Sequence, residues 1–235
     1  MTENAGGSAH RRAVLKAGLG LAGALPVPGA VSAALRDDRL GSTAAANLAS
    51  AANLRAAEAR PITSPRVIRP ELMKRALTAL GRHADQIKNR DRIAVVDFNA
   101  PSSQPRFHVI DINSGASTSF LVAHGSGSDP SHTGYLHRFS NDEGSNASSE
   151  GAFLLDDYYV GKHGRSQRMI GLDPTNSNAL SRALVVHSAW YANPDMLRTH
   201  GMLGRSQGCF AVADADLQRV FDRLGQGRMI YATKV

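Results

Sequence analysis

The sequence predicts a mainly β fold, a sandwich or barrel with few short helices, and three observations predict it. Short runs of β-branched and aromatic residues recur at close spacing. Gly, Asn, Ser and Pro clusters separate them. Only two stretches carry the apolar spacing of a helix face.

In chain order, Pro70 and Glu71 open a helix in the manner of a first turn. Leu72, Ala76, Leu80 and Ile87 then fall on one face, which predicts an amphipathic helix over Glu71 to Lys88. Strands are expected at Ile93 to Phe98, at Phe107 to Ile112 and, after the turn signal Asn113-Ser114-Gly115, at Thr118 to Ala123. Phe153 to Val160, Ala183 to Val186 and Arg228 to Thr233 continue the pattern. Leu217, Val220, Phe221 and Leu224 mark a second helix face, with Asp214 suited to its N-cap and Gly225 to its C-cap. Two long connections remain, Gly125 to Gly151 and Tyr191 to Gly208, and loops of that length commonly carry function. No internal repeat is present.

The 235 residues, 42% of them hydrophobic, suffice for one domain with its own core plus a leader and a linker. The net charge of +7 suits a basic surface facing an anionic polymer or lipid. Nucleic acid is not the expected partner, because the basic residues form no run longer than a pair and aromatics are only 6%. Arg11-Arg12-Ala13-Val14-Leu15-Lys16, an uncharged stretch from Ala17 to Leu35 and the small residues Val31-Ser32-Ala33 resemble a twin-arginine export signal. Pro26 and Pro28 argue against a stable spanning helix. An exported, periplasmic protein is therefore expected, acting as a monomer. The segments read as a signal peptide at 1–33, a flexible Ala-rich linker at 34–69, an accessory helix at 70–90 and the main domain at 91–235.

Cys209 is the only cysteine, so it cannot form an internal disulfide. A lone thiol kept in an oxidising compartment is a candidate nucleophile. It follows Gly204-Arg205-Ser206-Gln207-Gly208, and His187 stands 22 residues upstream at the end of the apolar run Leu184-Val185-Val186. A neighbouring imidazole can hold a thiolate as an ion pair. Gly208 lets the backbone approach a substrate, and the amides around it can face a developing oxyanion. Ser206 can donate to the same site and Arg205 can hold a substrate carboxylate. Taken singly, a buried cysteine is more often inert and a buried histidine more often a satisfied core residue. Nine histidines invite a metal reading, but they are scattered and no His-Glu-x-x-His is present, so neither a metal nor another cofactor is expected.

The flanking sequence resembles the catalytic domain of the L,D-transpeptidase (YkuD-like) family, whose pattern is a His and then, after a variable gap, Ser/Thr-x-Gly-Cys. His187-Ser188 and Ser206-Gln207-Gly208-Cys209 take those places. Gly204 to Cys209, Val122 to Gly125, Arg138 to Asn141, Ser148 to Gly151 and Tyr159 to Ser166 are similar to the murein L,D-transpeptidase branch found in Gram-negative bacteria. The resemblance covers about Asp91 to the C-terminus. It implies the family's β fold and cysteine acyl transfer on peptidoglycan stem peptides, with Cys209 as nucleophile, His187 as its proton partner, and a backbone carbonyl orienting the histidine. It implies cross-links between diaminopimelates, or related wall attachments. It also implies that carbapenems can acylate Cys209. Ser188 departs from the common Gly after the histidine. Phe210 departs from the branch and is expected to alter the wall beside the nucleophile. His124 and His163, within branch-like motifs, are candidates to line the substrate groove or to bond loop backbone. The alternatives are an L,D-carboxypeptidase or endopeptidase that hydrolyses stem peptides, an enzyme that detaches wall-bound protein, and a non-catalytic wall-binding module.

Overall fold

The computed structural model describes residues 68–235; the expected export signal and nearly all of the expected linker lie outside the described residues. Strand β1 (Arg92–Asp97) shows how the sequence builds the fold. Successive side chains of a strand point to opposite faces. Ala94 and Val96 accordingly join one apolar cluster, together with Phe98, Phe107, Phe153 and Phe210, while Ile93 and Val95 join another. The second cluster is closed by α1 (Pro70–Arg82), which lays Leu72, Ala76, Ala79 and Leu80 on it. Both faces of β1 are thus covered, which is why it reads as a continuous apolar run.

Around β1 lie β2 (Phe107–Asp111), β3 (Ser117–Phe120), β4 (Gly151–Gly161), β5 (Gly164–Gly171), β6 (Val185–Ser188), β7 (Phe210–Val212) and β8 (Met229–Thr233). They form one eight-stranded sheet in the order β3-β2-β1-β8-β4-β5-β6-β7. The β1–β8 and β6–β7 pairs are parallel and the other pairings antiparallel. The ends of this order meet: Ala123, just past β3, bridges Ala211 of β7, and its N–H donates to the Ala211 carbonyl at 2.8 Å. The fold is mainly β, as the sequence predicts, but it is a single sheet brought round on itself rather than two stacked sheets. Helix α2 (Asp195–His200) lies between β6 and β7, and α3 (Leu217–Leu224) packs Leu217, Val220, Phe221 and Leu224 into the inner cluster.

Several boundaries move. The first helix stops at Arg82, not Lys88; Ile87 still reaches the outer core from the turn that follows. Ile68 is buried and Arg69 donates to both carboxylate oxygens of Asp97, at 3.1 and 2.5 Å, so these last two linker residues dock on the domain. The N-cap of α3 is Asp216, not the expected Asp214, whose carboxylate instead accepts from Asn193 Nδ2 at 2.9 Å. Strands β5 and β7 were not expected. β5 carries buried Ser166 and Gln167 instead of an apolar alternation, and β7 is only three residues long.

Candidate active site

His187 is held by the sheet. It is the third residue of β6, flanked in register by Ser166 of β5 and Ala211 of β7. Val185 and Val186 anchor the strand in the inner core, so the imidazole leaves a rigid element. Its Nδ1 lies 2.8 Å from the Ser188 carbonyl. A carbonyl only accepts, so Nδ1 carries the proton and Nε2 is left with a lone pair. That Nε2 is the one buried side-chain polar atom among the described residues without a hydrogen-bond partner. Buried polar atoms are nearly always satisfied, so this exception singles out Nε2 as an acceptor the fold has left unused.

Cys209 comes from the turn that feeds β7. Gly208 adopts φ +114°, and a Cβ there would fall 2.8 Å from both the Ala147 carbonyl oxygen and a Leu184 methyl, so only glycine fits. The Ser206 hydroxyl donates to the Cys209 carbonyl at 2.7 Å and accepts the Gly208 N–H at 3.1 Å. Ser148 donates to the Gly208 carbonyl at 3.1 Å and accepts the Gly125 N–H at 3.0 Å. The nucleophile therefore sits on a turn braced by two serine hydroxyls.

Cys209, His187, His163, Arg182, Tyr191 and Arg205 line one cavity of about 540 Å³. His163 stands in the Lys162–His163 tip between β4 and β5, its ring stacked on His187 with centroids 4.4 Å apart and planes 26° apart. Arg205 reaches the cavity with Nη1 anchored on the Asp129 and Pro130 carbonyls. Sequence reasoning missed Arg182, Tyr191 and Lys162. Arg182 binds the Ser140 and Ala147 carbonyls at 2.8 and 2.5 Å and the Ser149 hydroxyl at 2.6 Å, fixing the long loop as one wall. Nothing local in the sequence singles it out, since its partners lie more than thirty residues upstream. The adjacent Ala183 has φ +53°, a strained conformation for a residue with a side chain, and its carbonyl lies 3.7 Å from the Cys209 sulfur.

Four expectations change. Ser206 does not point at a substrate; its hydroxyl is spent on its own turn, and the Gly208 amide is spent on Ser206. The amides facing the sulfur are those of Val185 and Cys209. His124 does not line the cavity. It is 1% exposed, with Nδ1 2.7 Å from buried Arg106 and Nε2 3.4 Å from buried Asp129. Phe210 does not form a wall beside the nucleophile either; it points into the core between Phe98 and Phe153, with ring centroids 5.7 and 5.5 Å away. Ser188 contributes its carbonyl, so its side chain is immaterial to the contact with His187.

The resting charge state also differs from an ion pair. Burial raises the pKa of the Cys209 thiol, opposed by the Val185 and Cys209 amides, Lys162 and Arg182. Burial lowers the pKa of His187, against the Ser188 carbonyl and with His163 and Lys162. Both directions favour the uncharged partners. The thiol proton then rests toward Ala183 and the imidazole is a poised base. Such a pair can pass the thiol proton to Nε2 once a substrate excludes water and stabilises the charge that forms. Among the described residues no group of three or more His, Cys, Asp or Glu side chains is arranged to hold a metal ion. No described helix is long and apolar enough to cross a membrane.

Solved structures similar to the chain include an L,D-transpeptidase from Mycobacterium smegmatis, at 13% identity over 61% of this chain and 58% of that one with a TM-score of 0.37. Another is L,D-transpeptidase 3 from Mycobacterium tuberculosis in complex with a faropenem-derived adduct, at 14% identity over 61% and 60% with a TM-score of 0.38. A third is the L,D-transpeptidase (residues 123–326) from Xylanimonas cellulosilytica, at 13% identity over 62% of each chain with a TM-score of 0.38. The chain spans about three fifths of the length of these structures. Among curated proteins none is a match. The model of the L,D-transpeptidase catalytic domain (YkuD_2) matches residues 65–233, most of the sequence and all of the site, and the chain belongs to that family.

Proposed function

We propose that the chain is an exported murein L,D-transpeptidase of the Gram-negative branch, carried to the periplasm by the twin-arginine route and acting there on peptidoglycan stem peptides. The observation that supports this reading is the unpartnered Nε2 of His187, a residue that lines the same cavity as Cys209. Together they supply a nucleophile and a base for acyl transfer. The Cys209 sulfur attacks the carbonyl of the L-centre of diaminopimelate while its proton passes to His187 Nε2. The C–N bond then breaks, and the proton leaves with the amine of the terminal D-alanine. An acceptor amine next attacks the thioester carbonyl, its proton goes to His187, the C–S bond breaks and the thiol is restored. A neutral resting pair lets His187 accept a proton in the first step and each later one. Lys162, Arg182 and Arg205 give the cavity a cationic wall opposed by Glu143, which suits a donor rich in carboxylates. The same nucleophile is the expected site of a carbapenem adduct.

The test is digestion of sacculi treated with the full chain, followed by mass analysis of the muropeptides. Dimers joined through two diaminopimelates are expected. Trimmed monomers alone would make the enzyme a carboxypeptidase, and unchanged muropeptides would leave a wall-binding module.

A further inference from the structure

We propose that His163 is a positioning residue that acts through His187: from the hairpin tip it caps the face of the catalytic imidazole and makes its charged state costly, so the ring stays a free base until substrate arrives. This rests on the acyl-transfer reading of the site and adds a tuning device to it.

The geometry carries the inference. The two rings stack at a centroid distance of 4.4 Å and an angle of 26°, close to face to face. Two imidazoles in that arrangement cannot both be protonated cheaply, because like charges would lie within van der Waals contact. A proton on one ring therefore resists a proton on the other. The stack also restrains rotation of the His187 ring about the bond that its Nδ1–H contact with Ser188 already aims. Placement on a tight hairpin supports a deliberate contact: Gly161 pairs with Gly164, only Lys162 and His163 form the tip, and Gly164 takes φ +70° to turn the chain. The rest of β5 is locked beside β6 through the Ser166–His187 register, so the tip is carried by the strand next to the residue it caps.

Other charged or titratable groups around the cavity are Lys162 on the same tip, Cys209, Arg182, Arg205 and Glu143, with Tyr159 and Tyr191 in the walls. Of these, His163 and Lys162 are the ones that bear on His187, both disfavouring its protonation. The cations that bear on Cys209 are Lys162 and Arg182.

The experiment replaces His163 by Phe, which keeps a flat ring without charge, and by Arg, which keeps a flat group with permanent charge. Histidine titrations of the full chain are followed by NMR, with the His187 signal assigned by its loss in His187→Ala. Relative to wild type, the His187 midpoint is expected to rise in His163→Phe and to fall in His163→Arg. The acid limb of Cys209 alkylation by iodoacetamide should move in the same two directions. A purely structural cap would shift both variants alike; equal shifts, or none, would overturn the proposal. Because neither readout uses a wall substrate, these results stand apart from the muropeptide test, which alone decides the transferase reading.

Discussion

His124 and His187 are equally buried, each 1% exposed, yet they do opposite things. His124 has both ring nitrogens occupied, one by the guanidinium of Arg106 and the other by Asp129. Its pKa falls to about 3, chiefly through burial and the neighbouring Arg106 charge, and Arg106 is itself pushed down to about 9 by burial. His187 has one nitrogen occupied and the other bare. Burial therefore does not distinguish a working histidine from a structural one. The bonding of the second nitrogen does, because a base needs a lone pair that the fold has not already used. A satisfied imidazole braces loops; an unsatisfied one stores reactivity at the cost of a missing hydrogen bond.

Paired alanine substitutions put the largest expected effect on this contrast. His187→Ala should lower acyl transfer by roughly 10²–10⁴-fold, the range expected for loss of a general base, while leaving the unfolding midpoint close to wild type. His124→Ala should do the reverse. It takes one buried partner each from Arg106 and Asp129 and opens a cavity between them, and should destabilise the domain by about 2–4 kcal/mol, with the folded fraction still alkylated at Cys209. Guanidinium unfolding and iodoacetamide kinetics on the same samples separate the two outcomes. If His124→Ala were stable but inactive, the division of roles would be wrong.

The legible part of the site is the part written locally. An apolar run that ends in His187 reads as a buried strand delivering a side chain, and a glycine before Cys209 reads as a tight approach; both are properties of neighbours in sequence. The same holds for β1, whose unbroken apolar run reflects cover on both faces. What stayed hidden depends on distant partners. β5 gives no strand signal because its buried Ser166 and Gln167 are polar, satisfied by the Gly164 and Asp156 carbonyls, so the stack of His163 on His187 was invisible. Phe210 follows Cys209 and so reads as a neighbour of the groove, but strand alternation turns it inward. Ser206 reads from sequence as a polar group near a nucleophile, yet its hydroxyl is consumed by its own turn, and Arg182, which nothing local singles out, is consumed by a distant loop.

A smaller effect, on stability against pH, sharpens the same comparison. His124 binds a proton at a pKa of about 3 when folded and near 6.5 when unfolded. The folded-state value is depressed, so the unfolded chain takes up protons first. Stability is complete above about pH 6.5 and is lost as pH falls toward 3, with a loss of about 2 kcal/mol reached near pH 5 from His124 alone. His187, with its pKa also lowered by burial, adds in the same direction. Unfolding midpoints measured from pH 7.5 down to 4.5 should decline in wild type, and the decline should be shallower in His124→Asn, which keeps an acceptor for Arg106 without a titrating ring. A parallel decline in the two proteins would show that His124 is not the main acid-sensitive group.

The smallest effect tests how separate the two regions are. Ser206 joins them: its N–H donates to the His124 carbonyl at 2.9 Å, while its hydroxyl holds the Cys209 turn. Ser206→Ala leaves the Gly208 N–H and the Cys209 carbonyl without that partner, which should cost about 1–2 kcal/mol. It should slow Cys209 alkylation only modestly, since the sulfur, His187 and the Val185 amide keep their places. The His187 titration midpoint should not move. Combined with His124→Ala in a double-mutant cycle, the stability losses should add to within about 0.5 kcal/mol if the hydroxyl serves only the cysteine turn. A larger coupling would mean that the structural histidine and the reactive one share a single bonded framework through Ser206, and that the bracing region sets the geometry of the nucleophile as well as its stability.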